Sequence, residues 1–240
     1  MKNIRASRLF WALGGVLLLL TGCIGLQTVP NGGGELPPLT LDNFPRVDGS
    51  TSTSPLGTLI GCFFFEVPCQ WIEWIDGSRL LAPNLTEAED FPDILHNGTH
   101  NAYENLIQNN ADLILVARLP SPAEEAMAAA LGVRLDPQPI ALDAFVFLLH
   151  DDNPVDNLSL TALQNIYTGA LTNWDEVGGN VAEIHPYQRN ENSGSQQLMQ
   201  TLVMKDLNMI DAPEMILLKM IAPFYAVSED PEGIGYSVFY

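Results

Sequence analysis

Positive charge is scarce in this chain: its 240 residues carry 10 Lys and Arg against 29 Asp and Glu, for a net charge of −19. A nucleic-acid partner, which needs a basic face, is thereby excluded. An anionic ligand is not, because exposed charges more than about 8 Å away are screened at physiological salt, and a buried site answers to the groups that line it. Catalytic signatures are missing too. There is no Gly-x-Ser-x-Gly elbow, no His-Glu-x-x-His helix, no Gly-x-x-x-x-Gly-Lys loop for nucleotide phosphate and no EF-hand spacing for calcium. The four histidines do not repair this: His96 and His100 are spaced for one helix face, but Gly98 between them favours a turn with local hydrogen bonds. The acidic pair Asp151-Asp152 reads as a solvated strand end. No metal site and no cofactor are implied, and neither internal repeats nor low-complexity tracts are present.

Long apolar runs are absent as well. The leading one, Leu9 to Leu20, falls short of the roughly 20 residues a membrane helix needs. With Lys2, Arg5 and Arg8 ahead of it, it has the form of a secretory signal, and its end, Leu20-Thr21-Gly22-Cys23, resembles a bacterial lipobox. That resemblance implies cleavage before Cys23, acylation of its sulfur, and a domain tethered by lipid to the outer face of the cell membrane. Residues 24–40, with three consecutive glycines and Pro37-Pro38, read as a linker. Cysteine is limited to three; the other two, Cys62 and Cys69, sit seven apart in an apolar stretch. On a regular helix they would be about 10.5 Å apart along the axis, too far for a disulfide, so buried free thiols are expected.

What is present is an α/β pattern. A short strand is expected over Phe44–Asp48, then a polar turn feeding a helix capped by Ser54 with Pro55 at its first position. That helix is apolar nearly all round up to about Asp76, and is therefore expected to be buried, with Phe64, Trp71 and Trp74 in the core. Thr99 is expected to cap a helix after the turn at His96–Tyr103. Strands are expected at Ala111–Ala117, Ile140–His150, Ile184–Gln188 and Gly233–Tyr240. Further helices are expected after Ser121, over Leu160–Tyr167, and over 198–205 and 213–221. Alternating strands and helices indicate α/β layers, and 47% hydrophobic residues suffice for a core.

The segment His185–Met199 organises the functional reading. Arg189 stands four residues before Ser193-Gly194-Ser195, and Ser193 with Gln196 forms a capping-box pattern at a helix start. Such a start presents unpaired N–H groups and the positive end of the helix dipole, both of which favour an anion. The Ser193 and Ser195 hydroxyls add donors, Gly194 permits close approach of the backbone, and Arg189 supplies a planar cation suited to phosphate. Two other Ser/Thr/Gly-rich turns, 49–54 and 97–101, also lead into helices. Ligands of open α/β sheets bind where such turns gather at strand ends. The alternative is three ordinary capped helices that never meet.

From Asp48 to Tyr240 the chain resembles the substrate-binding proteins of phosphate ABC transporters, within the type II periplasmic-binding-protein fold. Asp48-Gly-Ser-Thr-Ser-Thr-Ser-Pro-Leu56 is similar to that family's first phosphate loop, Gly98-Thr99 to a second, and Arg189 with Ser193-Gly194-Ser195 to its Arg-x-x-x-Ser-Gly-Thr motif. Asn153-Pro154, Ile166–Gly169, Thr172-Asn173-Trp174 and Gly233–Tyr236 resemble its second-lobe landmarks. The resemblance implies a two-lobed α/β fold, each lobe a mixed sheet flanked by helices, with lobe I at 41–139 and lobe II at 140–240. It implies inorganic phosphate or a similar oxyanion as ligand, held by Thr51, Ser52, Thr99, Arg189, Ser193, Gly194 and Ser195. It also implies an ABC transporter permease as partner, closure of the lobes around the ligand, and no enzymatic activity. Two departures stand out. Where the family has an aspartate that accepts a proton from phosphate, this chain has Ala117-Arg118, leaving Glu124 or Glu125 as substitutes. The family's return of the chain to lobe I after the last strand is also missing, so lobe I is expected to be incomplete. The competing readings are a surface sensor or scaffold that binds another oxyanion or none, and a secreted phosphatase.

Overall fold

A computed structural model of the chain describes residues 4–6, 38–73, 79–85 and 90–239. The strands are β1 (Ile4–Ala6), β2 (Val47–Gly49), β3 (Cys69–Glu73), β4 (Arg79–Pro83), β5 (Leu113–Leu115), β6 (Ala144–His150), β7 (His185–Pro186), β8 (Gln188–Arg189), β9 (Ile216–Leu217) and β10 (Gly233–Phe239). The helices are α1 (Ser54–Phe64), α2 (Thr99–Ile107), α3 (Pro122–Ala130), α4 (Leu160–Thr168), α5 (Gly194–Leu198), which runs on as a π-helical segment Met199–Met204, and α6 (Ala222–Glu229). The fold is mixed α/β in two lobes. In the first, β2 and β5 pair in parallel with Val47 opposite Leu113, and Val47 also bridges Ile94. In the second, β6 pairs antiparallel with β10, and β10 pairs in parallel with β7, giving the order β1-β6-β10-β7.

The second lobe holds the larger core. Leu149 of β6, Ile234 and Tyr236 of β10, and Leu163, Ile166 and Tyr167 of α4 pack with Trp174, Met199, Val203 and Met204. Burying each such aliphatic side chain contributes roughly 1.5–3 kcal/mol before entropy is counted. The polar handles inside are met: Trp174 Nε1 donates to the Glu232 carbonyl at 3.0 Å, and the Tyr167 hydroxyl lies 3.3 Å from the carbonyls of Tyr187 and Ile234. Local signals explain the element ends. Ser121 and Glu124 form a capping box at the start of α3. Ser159 caps α4, and Gly169 ends it in the left-handed conformation with φ 76°.

Several expectations are corrected. The apolar run after Ser54 is not one helix to Asp76. α1 ends at Phe64, Glu66 takes φ 56°, and Pro68 precedes a strand, so the chain folds back into the β3–β4 hairpin. A proline has no N–H to continue a helix ladder, and the residue before it is pushed out of helical backbone. The reversal brings the Cys62 and Cys69 Cα atoms to 6.0 Å, and the two form a disulfide instead of remaining free thiols. Nor is this run buried: Phe63 is 76% exposed, and Phe64 and Trp71 are also exposed. Trp74 lies outside the described residues. Ser54 and Thr99 are the first residues of their helices, not caps; Thr53 and Gly98 hold the cap positions without side-chain bonds. The 111–117 strand shrinks to Leu113–Leu115, with only Leu115 buried, and the 140–150 strand starts at Ala144. Ile184–Gln188 is divided between β7 and β8. Residues 213–221 form a short 3₁₀ turn, β9 and a bend, and the helix comes later, at α6. Among the described residues, the first-lobe strands form a parallel pair and a separate hairpin, not one mixed sheet.

The expected signal segment lies outside the described residues apart from β1, which runs antiparallel to β6 with Ile4 opposite His150. Cys23 and residues 24–37 of the linker lie outside them altogether. Among the described residues, no helix is long and apolar enough to cross a membrane.

Candidate oxyanion site

Asp48 ties the first two turns together. Its buried carboxylate accepts hydrogen bonds at Oδ1 from the N–H groups of Gly49 (2.7 Å) and Asn97 (3.0 Å). At Oδ2 it accepts from the side-chain amides of Asn97 (3.0 Å) and Asn105 (2.7 Å). Burial pushes this carboxyl up, but the four donors outweigh it and hold it below its ordinary value. The Gly98 N–H adds a backbone bond to the Gly49 carbonyl at 3.1 Å. On the other side of the first turn, Ser50 N–H and Thr53 Oγ1 donate to the Leu115 carbonyl at 2.9 and 2.6 Å, where β5 ends. A side chain at Gly49 would meet that carbonyl oxygen at 2.5 Å, so this approach requires glycine.

The third turn meets the second directly. A Cβ added to Gly194 would lie 2.5 Å from Thr99 Oγ1, so the two helix starts are in contact through the missing side chain. Ser193 caps α5, its hydroxyl accepting from the Gln196 N–H at 3.2 Å. Only half of the expected capping box forms, because Gln196 Oε1 turns inward to accept from the Arg189 N–H at 3.1 Å and from the Tyr236 hydroxyl.

Arg189 is 93% buried, at 7% exposure. Its Nε donates to the Leu217 carbonyl at 3.0 Å and its Nη2 to the Leu218 carbonyl at 3.3 Å. Nη1 is buried and has no hydrogen-bond partner. Burial lowers the pKa of the guanidinium, an effect the neighbouring Tyr236 opposes, yet arginine keeps its charge in proteins. This anchored cation belongs to a residue that borders a cavity of about 580 Å³.

The cavity is lined from both lobes. Thr51, Ser52, Thr99, Arg189, Ser193, Gly194 and Ser195, the seven residues singled out from sequence, all border it. Three separate helix starts therefore gather at one place beside a guanidinium. The lining also includes Ser50, Asn97, Asn190, Asn192 and the cations Arg79 and Lys219, none of them expected at the site from sequence, and His100, expected only in a turn with local hydrogen bonds. Asp48 carried a signal that could have been read: an acid at the end of a strand followed by Gly and a hydroxyl run. Arg79 and Lys219 carried none, because a hairpin and a bend deliver them.

Ala117 lines the cavity, while Arg118 turns away from it. Glu124 does not reach in. Its fully buried carboxylate accepts from Arg118 Nη1 (2.7 Å) and Nη2 (2.8 Å) and from the Ser121 N–H (2.7 Å), and it lies 2.9 Å from His100 Nδ1. Burial pushes it up, and these partners overcome that to hold it at about 2. Glu125 is exposed. Neither glutamate takes the place of the aspartate found in the resembling family.

Fold and cleft together define a two-lobed α/β binding-protein domain. The chain belongs to the PBP superfamily: the family described as "PBP superfamily domain" matches residues 80–234. Among curated proteins it is 26% identical over 173 residues to the phosphate-binding protein PstS of Staphylococcus saprophyticus, covering 67% of this chain and 53% of that one. It is 29% identical over 85 residues to phosphate-binding protein PstS 2 of Streptococcus pneumoniae, covering 35% of this chain and 27% of that one. The matches thus span about a quarter to a half of these relatives' length. Among solved structures, a candidate phosphate ABC transporter substrate-binding protein with bound phosphate from Clostridium perfringens superposes with a TM-score of 0.62 at 23% identity, covering 80% of this chain and 69% of that one. An ABC-type phosphate transport receptor from Vibrio cholerae gives 0.52 at 20% identity, covering 80% and 70%. These likenesses show the type II periplasmic-binding-protein-like fold.

Proposed function

We propose that this protein is an extracytoplasmic solute-binding lipoprotein that captures inorganic phosphate for an ABC importer. The observation that carries the reading is Arg189: a buried guanidinium, anchored through two nitrogens and with Nη1 unpartnered, on a residue that borders the cavity where three hydroxyl-rich helix starts gather. Hydrogen bonds between charged groups are shorter and roughly twice as strong as neutral ones, so Arg189 dominates affinity. Thr51, Ser52, Thr99, Ser193, Gly194 and Ser195 supply neutral donors, and the helix starts add their dipoles. The curated relatives, named as phosphate-binding proteins, support phosphate as the ligand.

The lobes, 41–139 and 140–240, close over the ion by hinge motion. A cavity of about 580 Å³ is large for one tetrahedral ion, which is consistent with an open state. The Cys62–Cys69 disulfide suits an oxidising compartment. Acylation at Cys23 would tether the domain to the membrane beside its permease. The protein acts as a binder, not an enzyme. Equilibrium dialysis against radiolabelled phosphate tests the reading: one ion per chain is expected, and no retention of label at millimolar phosphate would reject it.

A further inference from the structure

The chain carries 29 acidic residues, yet no described residue bordering the cavity is Asp or Glu. The charged side chains of the lining are Arg79 from β4, Arg189 from β8 and Lys219 from the bend after β9, with His100 of α2 as a fourth titratable group. The carboxylates behind them are engaged: Asp48 by Gly49, Asn97 and Asn105, and Glu124 by Arg118, Ser121 and His100, while Glu104 stands 3.7 Å from the far nitrogen of His100. We propose that this cleft selects fully ionised, divalent tetrahedral oxyanions, so that it holds sulfate nearly as well as the phosphate dianion and favours the dianion over the monoanion. The proposal rests on the reading of the cleft as an oxyanion site.

The argument is one of hydrogen-bond inventory. A carboxylate only accepts, so it rewards a ligand oxygen that carries a proton and repels one that does not. A hydroxyl both donates and accepts, so Ser50, Thr51, Ser52, Thr99, Ser193 and Ser195 meet either kind of oxygen equally well. Asn190, whose buried Oδ1 has no partner, is also neutral, and its amide offers two donors from its other end. Arginine and lysine only donate, and they favour the higher anionic charge. Discrimination against an unprotonated analogue needs a group left unpaired by it. The described lining offers no acceptor-only side chain.

Calorimetric titration of the full-length protein with sulfate and with phosphate, at pH 6 and pH 8 and constant ionic strength, tests this. Sulfate keeps its charge over that range, so any change in its affinity reports the protein's own groups. The expected result is a sulfate Kd within about tenfold of the phosphate Kd at pH 8, a gap of no more than about 1.4 kcal/mol. Phosphate, corrected by the sulfate change, is expected to weaken toward pH 6 as the dianion is lost. Sulfate weaker than phosphate by a hundredfold or more at both pH values would overturn the proposal, as would tighter phosphate binding at pH 6. No binding of either ion at either pH would overturn the functional reading itself. As a second arm, Ala117→Asp is expected to weaken sulfate at least tenfold while sparing phosphate at pH 6. Unchanged sulfate affinity in a folded Ala117→Asp protein would contradict the proposal.

Discussion

The backbone N–H of Arg189 donates to the Tyr236 hydroxyl at 3.0 Å, and that hydroxyl donates in turn to Gln196 Oε1. One buried phenol thus locks the strand that carries the site's arginine to the helix that carries its serines. Tyr236 is 1% exposed, and burial pushes its pKa well above the ordinary value, so it stays a neutral donor and acceptor across physiological pH. Tyr236→Phe removes both bonds while keeping the ring in the core. Phosphate binding should weaken by about five- to tenfold, with a loss of stability of about 1–2 kcal/mol. Paired calorimetry and urea unfolding would check this. A stability loss with unchanged affinity would show that the phenol serves the core alone.

The contact between the second and third turns makes its own prediction. Gly194→Ala puts a methyl group 2.5 Å from Thr99 Oγ1. It should destabilise the protein by about 1–3 kcal/mol, as overpacking does, and weaken phosphate binding by forcing the turns apart. In a Thr99→Ala background the clash disappears, and the added stability cost of Gly194→Ala should fall below about 0.5 kcal/mol. Thermal melts of the four proteins in this double-mutant cycle would measure it.

Arg118 and Glu124 form an ion pair at 2.7 Å with side chains 6% and 0% exposed. Glu124→Gln leaves the guanidinium buried without its counter-charge, and should cost about 3–5 kcal/mol. The pH dependence follows from the sign of the shift. The folded-state pKa of Glu124 is lowered to about 2, so its contribution is present above the ordinary carboxyl value and is lost as pH falls toward 2. Chemical unfolding between pH 5 and 2.5 should show wild-type stability falling more steeply than that of Glu124→Gln.

The Cys62–Cys69 bridge closes a short loop at the end of α1, with a sequence separation of seven. Reduction, or replacement of both cysteines by serine, should lower stability by about 2 kcal/mol. Because neither cysteine borders the cavity, phosphate affinity should stay within about twofold. A large loss of binding on reduction would show that the hairpin carrying Arg79 depends on the bridge.

Much of the fold and of the site was legible in the sequence. The turns were readable because Ser, Thr, Asn and Gly ahead of an apolar pattern mark a helix start, and Arg189 was readable by its spacing from Ser193-Gly194-Ser195. The strands β6 and β10 and the helices α3 and α4 also followed from apolar pattern and caps. The failures share a cause. In Phe63–Trp71, hydrophobicity alone could not distinguish a helix from a hairpin, and Pro68 was given too little weight. Cys62 and Cys69 would be too far apart only on a helix continuing through Cys69, and α1 ends at Phe64. Residues 213–221 were apolar enough for a helix, but they run alongside β8 to supply the carbonyls that hold Arg189. That demand comes from tertiary structure, and no local periodicity records it.

Isothermal titration of phosphate into the wild-type protein and into Arg189→Ala is the most direct measurement of the central claim. One site is expected in the wild type, weakened at least tenfold in the variant, since a hydrogen bond to a charged group contributes about 1.5–3 kcal/mol. Equal affinities in the two proteins, with the variant folded by circular dichroism, would contradict the account.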